Sequence, residues 1–371
     1  MKPGEIPEGV SDAERRIRPL LHLSIAGLEE MFDKNRLLFC NRLSLNKGRL
    51  IKEGDYSVRY TIISLLGLQA AEKHGLRSSI DVEASTAAAM DHLRNKRELG
   101  ETGLYLWLCS AATPDRLPGC CRELSVVGLW RDYAEYGPLK TMEMAWFLAG
   151  LAHAAASPVD IQEDLQKLAG SVFKKLKENY CGKGVFGHQG ARAAVGWIRR
   201  RVGSFADQVY PIYALSQYGS IMGDKEAVAI ALDCARHICS TQGALGQWWW
   251  HYDMYTGKVL GRYPVYSVHQ DGMAPMALFA IGGAAGADFR PAVYRGLDWI
   301  TGKNELNCDL VNPPLNVIWR CLYQGKRRRY TEEILSLLNL SRRDRDSELK
   351  ILFECRPYHL GWLLYALAGS G

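Results

Sequence analysis

No apolar run in this 371-residue chain approaches the roughly 18 residues of a membrane-spanning helix, so no span across a bilayer is expected. The opening stretch, MKPGEIPEGVSDAERRIRPLL, carries prolines and acids where a secretory leader needs a continuous apolar core. That pattern points to a cytoplasmic protein. Ten cysteines are present, but no CxxC pair and no Cys/His group at zinc spacing accompanies them. They are scattered through apolar segments (Cys40, Cys109, Cys181, Cys234, Cys239, Cys308, Cys321, Cys355), with one adjacent pair, Cys120 and Cys121. Reduced, mostly buried thiols are the expected state, and no metal is expected. A phosphate loop of Walker type and an HExxH helix are both missing. GKGVFG (182 to 187) has GxGxxG spacing but follows a helical segment rather than a strand, which excludes a dinucleotide site. No cofactor is expected. The charge excess is small, 46 basic against 40 acidic residues, and falls in short runs such as IRRR (198 to 201) and KRRR (326 to 329) that read as solvated faces. With no recognition motif, nucleic acid is not an expected partner. Alternating apolar and polar residues bounded by hairpin dipeptides are also lacking, so few or no strands are expected.

What the chain does contain is a repeat. Hydrophobic residues make up 47% and charged residues 23%, enough for a sizeable core. Six segments share one design, a few polar or aromatic residues followed by an apolar run ending in a small residue. They span 55 to 75, 139 to 156, 205 to 219, 266 to 283, 314 to 325 and 355 to 369. Apolar nearly all round, they read as helices buried on every side. Between them lie amphipathic segments: DAERRIRPLLHLSIAGLEEMF, DVEASTAAAMDHLRN, VDIQEDLQKLAGSVFKKLKENY, DKEAVAIALDCARHIC, FRPAVYRGLDWITG and TEEILSLLNLS. Several open with Asp or Thr before acids, as helix N-termini do. Alternating wet and dry helices predict an all-α (α/α)6 toroid of inner and outer helices, one domain over residues 1 to 371.

Three junctions (92 to 107, 177 to 190 and 235 to 250) run from a helix end through polar residues to glycine and an aromatic. In the third, ARHICSTQGALGQWWW, Gln242, Gly246 and Trp248 resemble the Gln-Trp repeat of terpenoid cyclases. The overall pattern is similar to the wider α/α-toroid group, which also includes polysaccharide lyases, sugar epimerases and six-hairpin glycosidases. The resemblance implies a funnel at the N-terminal ends of the inner helices. Neither the DxDD motif nor the aspartate-rich motif of terpenoid cyclases is present.

Residues at those ends would converge: Arg59 and Tyr60, Glu143, Asp207 with Gln208 and Tyr210, His269 with Gln270 and Asp271, Arg320, and Tyr358 with His359. His269 and Asp271 are the sharpest acid-base pair, unless Asp271 merely caps its helix. Asp207 is open to the same capping reading, and His188, in a glycine-bounded loop, either leans over the funnel or is solvated. Trp248, Trp250, Tyr252 and Asp253 offer either a sugar platform or a packing plug. Tyr263 and Tyr266 would bring phenols to the mouth, and Arg59 and Arg320 would pair with a substrate anion or with a protein acid such as Glu143.

The first functional reading is a sugar-modifying enzyme acting on a glycan or polysaccharide precursor, with a small-molecule or oligosaccharide substrate. Two chemistries fit. One is lyase- or epimerase-type proton abstraction, with Tyr266 or His269 as base and Arg59 or Arg320 neutralising a carboxylate. The other is inverting hydrolysis between Asp207 and Asp271, for which a separation of ~6.5 to 9.5 Å is required. Isoprenoid cyclisation, with Asp271 and His269 protonating an alkene, is a second reading. A non-catalytic glycan-binding scaffold is the third.

Overall fold

The structure, a computed structural model, describes residues 12–94, 96–158, 160–189, 201–324 and 348–369. Thirteen α-helices are found among the described residues. In chain order they are α1 (Asp12–Met31), α2 (Val58–Lys73), α3 (Val82–Leu93), α4 (Leu99–Ala112), α5 (Leu117–Glu123), α6 (Val126–Tyr136) and α7 (Thr141–Ala156). There follow α8 (Gln162–Lys177), α9 (Ala206–Met222), α10 (Lys225–Ser240), α11 (Ala274–Ala285), α12 (Arg290–Ile300) and α13 (Pro357–Leu367).

Six of them form a closed inner ring: α2 packs on α4, α4 on α7, α7 on α9, α9 on α11, α11 on α13, and α13 returns to α2. The chain reaches each inner helix from an outer one, so the architecture is the expected (α/α)6 toroid. Composition explains the two circles. In α7 every residue from Glu143 to Ala152 is buried, whereas α8 buries Leu165, Leu168, Val172 and Leu176 and exposes Glu163, Lys167 and Lys174. Starts are set by side-chain caps: Ser57 accepts from the Tyr60 N–H, Asp81 from Ala84 and Asp224 from Ala227. One contiguous hydrophobic core runs from Ile17 to Leu367. None of the described helices is long and apolar enough to cross a membrane.

Glycine lets α4 and α7 touch. A Cβ on Gly150 would lie 2.0 Å from the Gly103 carbonyl oxygen, and one on Gly103 would lie 2.3 Å from the Phe147 Cα. Gly150→Ala is therefore expected to destabilise the protein by at least about 2 kcal/mol, as overpacking against backbone does. The midpoint of urea denaturation measures this loss.

Two sequence expectations need correction. The segment 314 to 325 is not an inner helix. It holds a single 3-10 turn, Pro313–Leu315, and the short strands β9 (Val317–Ile318) and β10 (Cys321–Gln324). A proline pair and Asn316 at φ 51° interrupt it, and its β-branched residues then prefer extended backbone. The sixth inner place belongs to α4, which begins inside the stretch 92 to 107 read as a junction. Strand content is low, as expected, and confined to short pieces: β1 (Phe32–Asp33), β2 (Leu38–Phe39), β3 (Arg42–Asn46), β4 (Arg49–Glu53), β5 (Val202–Ser204), β6 (His251–Asp253), β7 (Val265–Tyr266), β8 (Val311–Asn312), β11 (Leu349–Leu352) and β12 (Glu354–Cys355) complete the described set. The β3–β4 hairpin turns through Lys47 and Gly48, both at positive φ, a turn that the Lys-Gly dipeptide signals only weakly. The amphipathic segment 331 to 341 lies outside the described residues.

These strands place the site. β5 leads into α9, β7 into His269 and β12 into α13. β10 pairs with both β7 and β11, and β12 pairs with β3, so the loops at the N-terminal ends of the inner helices are held by backbone ladders.

Candidate active site

Before α11 the chain makes one wide turn, His269–Met273, in which the Ala274 N–H donates to the His269 carbonyl five residues back. Such π-type turns re-aim side chains and are frequent at functional sites. Here the turn directs His269 and Asp271 to different surroundings. His269 lines a cavity of about 220 Å3 together with Arg59, Tyr60, Met142, Trp146, Tyr210, Trp250, Tyr266, Arg320 and Tyr358. Asp271 points instead to His359, whose Nε2 is 2.8 Å from both carboxylate oxygens, in a buried pair that ties the turn to α13.

The cavity lies at the first turns of α2, α7, α9 and α13. Its walls are largely aromatic: Trp250 meets Tyr266 edge-on at 5.1 Å, Trp146 meets Tyr210 edge-on at 5.0 Å, and Tyr60 packs on Tyr358 at 4.6 Å. Two guanidiniums bring positive charge. Arg59 stands 5.2 Å over the Trp146 ring and pairs with Glu101 Oε1 at 3.3 Å, and Arg320 stands 5.4 Å over Tyr266. Arg320 Nη1 is 3.6 Å from Glu354 Oε2, too far for a hydrogen bond. Arg356 also pairs with Glu354, at 3.4 Å, and donates to the Tyr60 hydroxyl at 2.9 Å. Arg59 Nε, Arg320 Nη1 and Arg356 Nε are buried donors with no hydrogen-bond partner among the described residues. Donors left unpaired in this way favour an anionic group of a ligand.

His269 rests against Phe205 at 4.5 Å and Tyr266 at 5.3 Å, and its buried Nδ1 has no hydrogen-bond partner among the described residues. Burial pushes its pKa down to about 3, against the opposing pull of the Trp248 backbone, so the ring is neutral at ordinary pH. The cavity phenols move the other way: burial raises Tyr60, Tyr210 and Tyr266 and pushes Tyr358 up to about 12. They are hydrogen-bond donors, not bases, near neutrality.

A wider vestibule of about 530 Å3 opens beside the cavity and shares Arg59 and Met142 with it. Glu98, Glu101, Glu143, Lys96, Lys140 and His188 line it. Lys140 donates to Glu143 at 2.8 Å. His188 is held through Nδ1 by Asp207 at 3.3 Å, and Asp207 also accepts from the Ser204 N–H and hydroxyl. Burial alone would raise the Asp207 pKa, but the bonds from His188 and Ser204 outweigh it and hold the carboxyl below its usual value. For Asp271 burial outweighs His359, and the carboxyl is raised.

Of the residues singled out from sequence, Arg59, Tyr60, Tyr210, Trp250, Tyr266, His269, Arg320 and Tyr358 come together in the cavity, and Glu143 and His188 in the vestibule. The others hold the framework. Gln208 bonds both backbone groups of Phe186, and Gln270 links Trp248 N–H to the Tyr266 carbonyl. Trp248 is fully buried against Phe205. Tyr252 is fully buried in β6, Asp253 pairs with Arg201 at 2.8 Å, and Tyr263 donates to Glu305 at 2.6 Å. Gln242 binds the carbonyls of Gly246 and Ala292 and accepts from Arg295, stapling α10 to α12. Trp146 and Glu101 were not foreseen. Glu101 occupies the first turn of α4, at the third position that Glu143 holds in α7, and Trp146 lies in the second turn of α7.

Acid should weaken this fold. His269, at about 3, and His153, at about 4, both lie below their ordinary 6.5 through burial. Between pH 6.5 and those values the unfolded chain binds protons that the folded chain does not, so stability falls as pH drops, by about 1.4 kcal/mol per unit for each histidine. The raised Asp271 opposes this above its ordinary value of 3.8. Urea midpoints should hold from pH 7.5 to about 6.5 and fall from there to pH 5.0, and His269→Phe should make that slope shallower.

No protein-family model matches the chain, and no curated protein matches it. Solved structures do. The unsaturated glucuronyl hydrolase of Bacillus sp. GL1, responsible for the degradation of glycosaminoglycan, aligns over 96% of each chain with TM-score 0.61 and 11% identity. A sugar epimerase from a ruminal bacterium aligns over 97% of this chain and 99% of its own, with TM-score 0.62 and 12% identity. Cellobiose 2-epimerase from Bacillus thermoamylovorans B4167 aligns over 96% and 99%, with TM-score 0.61 and 11% identity. At these identities the likeness shows the fold: the chain shares the α/α toroid of these proteins along nearly its whole length.

Proposed function

We propose that the chain is a sugar-modifying enzyme that moves a proton at a carbon beside the carbonyl or carboxylate of an acidic sugar. One observation carries this reading. The inner cavity is lined by a neutral histidine, two guanidiniums and protonated phenols, and no carboxylate lines it among the described residues. An imidazole nitrogen of His269 takes the proton from carbon. The electron pair moves onto the adjacent carbonyl or carboxylate oxygen, where Arg59 and Arg320 offset the developing charge. Return of the proton to the other face gives an epimer, and departure of an oxygen substituent from the next carbon gives an unsaturated sugar. Burial is the main cause of the depressed His269 pKa, and a ligand anion beside Arg320 would offset a lesser one, the Arg320 charge.

Hydrolysis between Asp207 and Asp271 gains less support, because both carboxyls are fully buried and bonded to histidines outside the inner cavity. A cavity of about 220 Å3 holding two guanidiniums suits one sugar ring rather than a polyprenyl chain. The solved neighbours named for glucuronyl hydrolysis and sugar epimerisation agree with a carbohydrate substrate. Ten free cysteines suit a reducing, cytoplasmic compartment, and with it a glycan precursor or an imported fragment. The test is product analysis by proton NMR after incubation with glucuronic acid, galacturonic acid and their β-linked disaccharides. An altered configuration or a new double bond next to the carboxylate is expected. Unchanged acidic sugars, with cleavage of neutral glycosides only, would count against the reading.

A further inference from the structure

We infer that the vestibule is a second sugar subsite, read by Glu101, and that it takes a neutral, hydroxyl-bearing ring joined to the acidic sugar in the inner cavity. This rests on the reading of the inner cavity given above. The two spaces adjoin, with Arg59 and Met142 in the walls of both, and the outer one, at about 530 Å3 against about 220 Å3, has room for a further ring. A substrate of one sugar would leave the larger space to water.

The chemistry of the wall is specific. Glu101, on the first turn of α4, is buried, and only its Oε1 is engaged, by Arg59 at 3.3 Å. Oε2 is buried with no hydrogen-bond partner among the described residues, an acceptor whose desolvation calls for a donor from the ligand. Glu143 lies alongside on α7, buried and bonded to Lys140. The two are brought together by Gly100, where a Cβ would come within 3.2 Å of Glu143 Cγ. Sugar hydroxyls are donors that both carboxylates can accept. Arg59, Lys96 and Lys140 balance Glu98, Glu101 and Glu143 in this wall, so a second carboxylate gains no net attraction there and would compete with Glu101 and Glu143 for the cations they already hold. The site therefore separates the substrate into an acidic ring inside and a neutral ring outside.

Isothermal titration of the full chain with glucuronic acid, with glucuronic acid linked β1→4 to glucose, and with the disaccharide of two glucuronic acids tests the inference. The glucose-containing disaccharide is expected to bind at least tenfold more tightly than glucuronic acid, and the all-acidic disaccharide is expected to show no such gain. Glu101→Ala disturbs Arg59 as well, so the readout is the ratio of disaccharide to monosaccharide affinity, which should fall from tenfold or more to below threefold. Glu143→Gln, which leaves the Arg59–Glu101 pair in place, should reduce the same ratio by a smaller factor. A ratio near one in the unaltered protein, or a ratio that Glu101→Ala leaves unchanged, overturns the subsite while the inner-cavity reading survives. Failure of glucuronic acid itself to bind overturns both.

Discussion

Replacing His269 with phenylalanine is expected to lower turnover by a factor of about 10² to 10⁴, the usual contribution of a positioned acid-base group. The fold should tolerate the change. The ring is held by Phe205 at 4.5 Å and Tyr266 at 5.3 Å, and no side chain of the described residues bonds to it, so a phenyl ring keeps the packing and leaves no side chain unpaired. Substrate affinity should change little, because Arg59, Arg320 and the aromatic walls remain. The expected kinetic signature is a fall in kcat with a nearly constant KM. Tyr266→Phe supplies the contrast. Burial raises its phenol above the ordinary value, so Tyr266 can donate but cannot serve as a base near neutrality, and its loss should cost far less than that of His269. A larger loss for Tyr266→Phe than for His269→Phe would move the base to the phenol.

Replacing Asp271 with leucine is expected to act on stability first. The carboxylate and the His359 ring are both buried and bonded at 2.8 Å, and removing one member of such a pair costs about 3 to 5 kcal/mol through the partner left unsatisfied. His359→Leu should cost a similar amount. The double variant should recover much of the loss, since an apolar pair of similar volume has no group to desolvate. Urea denaturation of the three variants measures the coupling. An Asp271→Asn variant that keeps the original stability but loses turnover would place Asp271 in the chemistry instead.

These two results separate residues that the sequence sets only two positions apart. Their proximity in sequence made His269 and Asp271 look like one acid-base pair, but the wide turn sends one into the cavity and the other to a partner 88 residues along the chain. Sequence spacing carries no sign of such a partner. The rim was otherwise legible because polar residues recur at the starts of apolar helices, which is where Arg59, Tyr60, Tyr210, His269 and Tyr358 lie. Helix α4 was not legible. Gly100 and Gly103 give its first turn the look of a loop, whereas their purpose is the close approach of α7, a tertiary cause that local propensity cannot express. Glu101 was lost with it. The segment 314 to 325 failed in the opposite sense, since its apolar composition suits a short buried strand as well as a helix.

Running the reaction on an acidic disaccharide in deuterium oxide and, separately, in oxygen-18 water tests the central claim most directly. Proton transfer by His269 predicts one deuterium on the carbon next to the carbonyl or carboxylate when the product is an epimer, or loss of that carbon's hydrogen to solvent when the product is unsaturated, with the glycosidic oxygen unlabelled in either case, and predicts that His269→Phe abolishes the proton transfer. Oxygen-18 at a newly cleaved anomeric carbon, with every carbon-bound hydrogen retained, would contradict it.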